Sequence, residues 1–402
     1  MKDFPMRSID VPQDWDRKGL PAWTYRSPAM FALEREKLFL THWQVAGHES
    51  DVMAPGDWLT FDMLGERAVV MRGKDGVLRA FHNLCRHRGA RVVDGDKGHC
   101  NGAIVCPFHG WVYNLDGTLR GAAQPTSFGD MDRDRFGLKP VEMEIFHGFI
   151  FLRFGPGPQP SVADLLAPFD ADFAAYRTKH VLPAKGADWR TDLAVNWKSV
   201  RDVDNEGYHV PLAHPGLQDL YGRSYRDLYL DDGLSVSVGY FGDAPGRGWS
   251  VRQYVEHAPD RDLPAHLQKA WTYYGLFPNA VFAFTPEAVQ YYQEIPLSPG
   301  TTRLTGRLYR HPDESRQTRL ARYLAYRIDR DTSVEDRQLS IWSNESMASD
   351  AFEGFHLSDL EYGLRRHHDG LRALMPVMAL QDPPPEAQIR VMNDKLICQP
   401  EL

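Results

Sequence analysis

Cysteine is scarce in this chain: four among 402 residues (Cys85, Cys100, Cys106 and Cys398), too few and too scattered for a disulfide framework. No apolar run approaches the roughly 20 residues that a membrane span needs. The start, Met1-Lys2-Asp3-Phe4-Pro5, lacks the apolar stretch of a secretory signal, so a cytoplasmic protein with no membrane partner is expected. Basic blocks are missing too. Lys and Arg number 46 against 54 Asp and Glu, a net charge of −8, which argues against a nucleic-acid partner. At 43% hydrophobic and 12% aromatic, the composition is that of a globular protein and excludes a disordered or collagen-like chain. The length calls for at least two cores.

The chain changes texture along its length. Ser27 and Pro28 open a helix on which Phe31, Leu33, Leu38 and Phe39 recur at helical spacing up to Trp43. Short strands follow, with Asp75-Gly76 and Asp116-Gly117 supplying the left-handed turn residues of hairpins. Phe149–Leu152 then runs into Gly155-Pro156-Gly157-Pro158-Gln159-Pro160, the clearest linker. The predicted division is a helical segment at 1–42, a β-rich domain at 43–155 and a larger domain at 161–402. In the last, strand-like runs at Leu234–Tyr240, Trp271–Phe277, Ala280–Phe284 and Thr302–Tyr309 precede a mainly helical stretch from Glu314 to Met378. The tail around Pro383-Pro384-Pro385 reads as extended or irregular.

Two constellations carry chemistry. The first is Cys85-Arg86-His87 with Cys106-Pro107-Phe108-His109: two thiolates and two imidazoles on two loops, each beside a glycine (Gly89, Gly110). A structural zinc site is the competitor, but zinc modules more often open with two cysteines and close with two histidines. The second is Glu206-Gly207-Tyr208-His209-Val210-Pro211-Leu212-Ala213-His214. On a helix Glu206 and His209 share a face, whereas His209 and His214 converge only if the helix distorts or ends, for which Pro211 gives a reason. Two histidines and a carboxylate would complete a facial triad.

The first constellation resembles the Rieske [2Fe–2S] signature of ring-hydroxylating oxygenase α subunits. That resemblance implies Cys85 and Cys106 on one iron of a cluster and His87 and His109 on the other. It also implies a mononuclear Fe(II) on His209, His214 and an acidic residue of a C-terminal helix. Val334-Glu335-Asp336-Arg337-Gln338-Leu339, before Asp359 and His367-His368, resembles the quaternary-ammonium branch and carries that role onto Asp336, with Glu335, Asp350 and Asp359 as alternatives. Glu206 takes the position of a carboxylate that bridges the mononuclear site to a Rieske histidine of a neighbouring subunit, and Glu there is the habit of relatives acting on carnitine, choline and betaines.

The implied fold is α+β: an all-β Rieske domain plus a helix-grip catalytic domain, an antiparallel sheet wrapped by helices, with the N-terminal segment packed on the catalytic domain. The implied activity is O2-dependent hydroxylation of an N-methyl group of a betaine-like quaternary ammonium compound, giving N-demethylation. Attack on an aromatic acid is the alternative. A Rieske electron carrier without oxygenase activity leaves Glu206, His209 and His214 unexplained. No flavin or nicotinamide motif is present, and Cys100 and Cys398 are too few for a ferredoxin site. A separate flavin and iron–sulfur reductase using NAD(P)H is therefore expected, as is a homotrimer. Trp271, Tyr273, Tyr274, Phe282 and Phe284 are candidates for offering ring faces to a methylammonium group.

Overall fold

A computed structural model describes residues 4–186, 188–231, 233–242 and 246–398. The first three residues of the predicted N-terminal segment and the last four of the predicted catalytic domain lie outside them. The fold is α+β and divides into two compact units. One is Phe39–Leu165; the other joins the N-terminal segment up to Leu38 with everything from Leu166 onward. The five-residue segment 161–165, predicted with the later domain, belongs to the smaller unit. Val162 N donates to Glu144 there at 2.7 Å, and Gln159 accepts from Trp43 N.

The smaller unit is built from short antiparallel strands. Leu78–His82, Glu66–Arg72, Asp57–Met63 and Lys97–His99 form one sheet. Gln44–His48, Phe149–Arg153 and Glu142–Phe146 form a second, and Ile104–Val105, Val112–Tyr113 and Leu119–Gly121 a third. The turn glycines take the positive φ that their Asp-Gly pairs call for: +77° at Gly76 and +85° at Gly117. A buried cluster of Trp58, Val69, Ile104, Trp111 and Tyr113 contains Cys85 and Cys106.

The larger unit carries an 8-stranded antiparallel sheet. Its order is Leu182–Pro183, Thr301–Arg310, Ala288–Ser298, Ala280–Thr285, Ala270–Leu276, Leu234–Tyr240 and Arg226–Tyr229, with Trp189–Leu193 also paired to Thr301–Arg310. Against it lies the helix Arg316–Ser346, capped by Ser315, whose hydroxyl accepts from Thr318 N. Its apolar stripe of Ala321, Leu324, Ala325 and Ile328 packs with Leu217, Leu220, Tyr254 and Trp271. Beyond Ile328 the stripe turns polar, and there the functional site begins.

Of the predicted N-terminal segment, residues 4–38 belong to this unit, whereas 39–42 belong to the smaller one. Tyr25 OH donates to Asp202 at 2.6 Å, Asp202 also accepts from His368 Nε2, and Leu20 N donates to His368 Nδ1. Lys198 and Trp197 both donate to Glu34 in full burial. The first helix is shorter than its sequence period suggests: it runs Pro28–Glu34 and loosens into a wider π-helical turn at Arg35–Phe39. The tail, expected to be irregular, instead forms the helix Ile389–Cys398, with Ile389 and Asn393 buried and Asn393 accepting from Val377 N. The three prolines end before it starts, so they delimit the helix without breaking it. Among the described residues no helix is long and apolar enough to cross a membrane.

Candidate metal centres and active site

The two cysteine loops of the smaller unit share one backbone pattern. Cys85 N donates to Ala90 O and Gly89 N returns to Cys85 O; Cys106 N donates to Trp111 O and Gly110 N to Cys106 O. Both glycines adopt positive φ, +74° and +68°, which a β-carbon would strain. His87 and His109 come together at the tips, ring centroids 4.7 Å apart, with His87 stacked on Trp111. Both thiols are buried, burial pushes the Cys85 thiol up, and His87 Nδ1 is buried without a hydrogen-bond partner. Thiolates and an unsatisfied imidazole nitrogen in such a place suit a soft metal cluster and would be costly without one. Tyr113 OH accepts from Arg86 N and lies 3.3 Å from Cys85 Sγ, a contact that sequence spacing gave no reason to expect.

In the larger unit the helix Trp197–Asp204, capped by Asn196, ends before Glu206. His209 then sits just before a single helical turn, Val210–Ala213, and His214 just after it. Pro211 occupies the first turn and Pro215 starts the next helix, Pro215–Tyr221, so the break expected near Pro211 is realised as a one-turn helix between the histidines. Glu206 lies outside any helix, contrary to the shared-face expectation. Its Oε2 accepts from the backbone N–H groups of Tyr208 and His209, and its Oε1 accepts from His209 Nδ1 at 2.5 Å.

Both Nε2 atoms converge on Asp336 of the long helix. His209 Nε2 and His214 Nε2 are 3.0 Å apart, and Asp336 Oδ1 lies 2.8 Å from His214 Nε2 and 3.5 Å from His209 Nε2. Ligands at about 2.1 Å from a metal and at right angles are roughly 3 Å apart, so this triangle has the size of one face of an octahedron. Glu335, the neighbouring alternative, turns to the other side of His214 and accepts from its Nδ1 at 2.8 Å. Asp350 is exposed, and Asp359 accepts from Trp15 and pairs with Arg17. Each histidine is thus oriented by its own carboxylate, Glu206 or Glu335, with Nε2 left for a metal. Burial lowers the His209 pKa, but Asp336 and Glu206 override it and raise the ring to about 10; a cation on Nε2 would take that proton's place.

A cavity of about 130 Å3 opens onto this triangle. Of the five aromatic candidates only Tyr273 lines it. Trp271 donates to Tyr254 OH beside a smaller neighbouring cavity, while Tyr274, Phe282 and Phe284 pack on Phe173. Tyr273 and Tyr274 are adjacent on one strand, so their side chains leave opposite faces of the sheet. Trp189, Tyr225 and Tyr292 line the cavity and were not singled out from the sequence. Residues 183–377 match the family described as the ring hydroxylating alpha subunit (catalytic domain), and residues 42–132 match the Rieske [2Fe-2S] domain.

The chain carries a Rieske [2Fe-2S] domain followed by a catalytic domain of the ring hydroxylating alpha subunit type. The chain is similar to the carnitine monooxygenase oxygenase subunit of Escherichia coli K12, with 36% identity over 215 residues, 52% of this chain and 57% of that one. It is also similar to the glycine betaine monooxygenase oxygenase subunit of Chromohalobacter salexigens, with 38% identity over 199 residues, 50% and 44% of the two chains. The chain thus spans about half the length of the curated relatives it matches. Its fold matches that of the quaternary ammonium Rieske monooxygenase CntA in complex with L-carnitine, with a TM-score of 0.73, 23% identity and coverage of 91% of this chain and 99% of that one. The two domains imply iron centres, and the cysteine–histidine loops and the His209–His214–Asp336 triangle have the donors and the geometry to hold them.

Proposed function

We propose that the protein is the oxygenase component of a Rieske monooxygenase that hydroxylates an N-methyl carbon of a betaine-like quaternary ammonium compound. The hydroxymethyl product then loses formaldehyde, so the outcome is N-demethylation. The observation that carries this reading is the cavity wall at the metal triangle. Carboxylates Asp204 and Asp329 and the phenols Tyr225, Tyr273 and Tyr292 line it, a surface that favours a methylated cation over a flat hydrocarbon. The similarity to carnitine and glycine betaine oxygenase subunits points the same way.

In this reading Cys85, His87, Cys106 and His109 hold a Rieske [2Fe–2S] cluster, and His209, His214 and Asp336 hold Fe(II). Bound there, the two centres would supply the two-electron reduction of O2 that places one oxygen atom in the substrate and releases the other as water. The residues of this chain do the rest. Glu206 fixes the His209 ring from its far nitrogen, and Glu335 does the same for His214. Tyr292 donates to Asp204 at 2.7 Å and holds that carboxylate against Arg201 on the cavity wall. Electrons come from a separate flavin and iron–sulfur reductase using NAD(P)H. The working assembly is a cytoplasmic homotrimer in which Glu206 bridges to His109 of the next subunit.

The test begins with the purified protein, which should be brown and carry about three irons per chain. With a surrogate reductase, betaines should drive O2 uptake and release formaldehyde, whereas benzoate-like acids should not. Coupling to the aromatic acids alone would replace this reading by that of an aromatic-ring hydroxylase.

A further inference from the structure

The long helix turns one polar face to the cavity. Asp329, Thr332, Ser333, Asp336, Arg337 and Ser340 follow one another at alternating steps of three and one, the spacing of a single helical stripe. The charged groups around the cavity are nearly all paired with one another. Arg201 is held by Asp204 at 2.8 Å and Glu294 at 3.5 Å, Glu206 by His209, and Asp336 by the two histidines. Two remain. Among the described residues neither Arg337 nor Asp329 makes an ion pair. Arg337 gives only its Nε, to Ser333 O at 2.9 Å, and Asp329 has only a distant amide, Gln290 Nε2 at 3.4 Å.

Their placement explains why they do not satisfy each other. Side chains eight positions apart on a helix start about 12 Å apart along its axis, beyond the one-turn separation at which helical ion pairs form. Arg337 lines the cavity and folds its stem back to Ser333 O through Nε, while its two terminal NH2 groups have no hydrogen-bond or ion-pair partner among the described residues, a free fork of the kind that takes a carboxylate bidentately. Burial without a cationic partner raises the Asp329 carboxyl to about 6, and an ammonium group in the cavity would relieve that penalty. Tyr273 lines the same stretch of wall and adds an aromatic face.

We infer that Arg337 and Asp329 read the two charges of a zwitterionic substrate, Arg337 receiving its carboxylate and Asp329 its quaternary ammonium. This assignment rests on the betaine reading and sharpens it: the substrate must carry both charges, and the cation is seated between Asp329 and the Asp336 end of the metal triangle. A choline-like alcohol or a simple tetraalkylammonium would leave the Arg337 fork unpaired.

The experiment measures binding of three probes to the anaerobic, iron-loaded holoenzyme by calorimetry, where no turnover occurs. The probes are γ-butyrobetaine, its methyl ester, which keeps only the cation, and its carbon isostere with a tert-butyl group, which keeps only the carboxylate. Arg337→Met should weaken γ-butyrobetaine by about 10- to 100-fold and leave the ester unchanged. Arg337→Lys should recover part of the loss. Asp329→Asn should weaken γ-butyrobetaine and the ester alike and spare the carbon isostere. Rieske absorbance and iron content equal to wild type show that each variant is folded. Unchanged γ-butyrobetaine affinity in Arg337→Met, or an equal loss for the ester, overturns the assignment while leaving the betaine reading intact. A wild-type enzyme that binds benzoate and no betaine ends both.

Discussion

Glu335 Oε2 lies 2.8 Å from His214 Nδ1, on the side of the ring opposite the Nε2 that faces Asp336. Neighbours in sequence, the two carboxylates hold the two nitrogens of one imidazole. Asp336→Ala should therefore abolish mononuclear iron while the Rieske absorbance persists, because two histidines alone make an incomplete site. Glu335→Ala should retain iron with affinity weakened by about 10- to 100-fold, and Glu335→Gln, which still offers an oxygen to Nδ1–H, should lose less. Iron titration followed by gel filtration and metal analysis separates the three variants.

Glu206 makes three contacts to its own segment, two to backbone N–H groups and one to His209. Glu206→Gln keeps its length but places an amide where an acceptor oxygen stood. Both metal centres should survive. Reoxidation of a pre-reduced Rieske centre on mixing with substrate and O2 should slow, as read by rapid-mixing absorbance. Unchanged reoxidation at full iron content would reduce Glu206 to a local backbone cap.

Stability should depend on pH through Glu287. This carboxyl is fully buried, and burial raises it to about 7 despite hydrogen bonds from Thr285 and Tyr254. A folded-state pKa above the unfolded value of 4.5 means the folded protein binds more protons between the two, so stability falls as pH rises from about 4.5 to about 7. The full effect is roughly 3 kcal/mol. Glu287→Gln keeps an acceptor for Tyr254 and carries no charge, so its Tm should exceed wild type at pH 8 and approach it near pH 5. Paired thermal melts at the two pH values check the sign.

The buried pair of Lys198 and Glu34 offers a test of the N-terminal segment. Both side chains are fully buried, and Glu34 also accepts from Trp197 Nε1 at 2.9 Å. Glu34→Gln leaves a lysine charge buried without its partner and should cost about 3–5 kcal/mol in chemical denaturation.

The Cys–His loops were legible because each is a local motif whose turn glycine is written beside it. His209 and His214 were read as a pair only through the resemblance, since two histidines five apart carry little signal by themselves. Asp336 was preferred to Glu335 through the resemblance alone: neighbours on a helix point about 100° apart, and only the packing of the whole helix decides which one reaches the cavity. Four of the five aromatic candidates fell outside this cavity for a similar reason. Alternation separates Tyr273 from Tyr274, but the face that meets the cavity is set by strands and helices far away in the sequence. Tyr225 and Tyr292 carried no motif at all. The terminal helix was hidden by its three prolines, which read as irregular until Ile389 and Asn393 are seen buried.

The larger unit is assembled from two stretches of chain, with the whole of the smaller unit written between them. The contacts of residues 4–38 reach very late positions: Trp23 donates to Leu380 O, Ala29 N to Glu386, and Arg390 pairs with Glu36. On the ribosome the Rieske unit is therefore complete, and free to fold, on the order of tens of seconds before the last of these partners is made. Throughout that interval Leu20, Met30, Leu33 and Leu38, which end up almost wholly covered, sit in a segment that still lacks its late partners. Biogenesis of the catalytic unit has a waiting period built into the order of the chain.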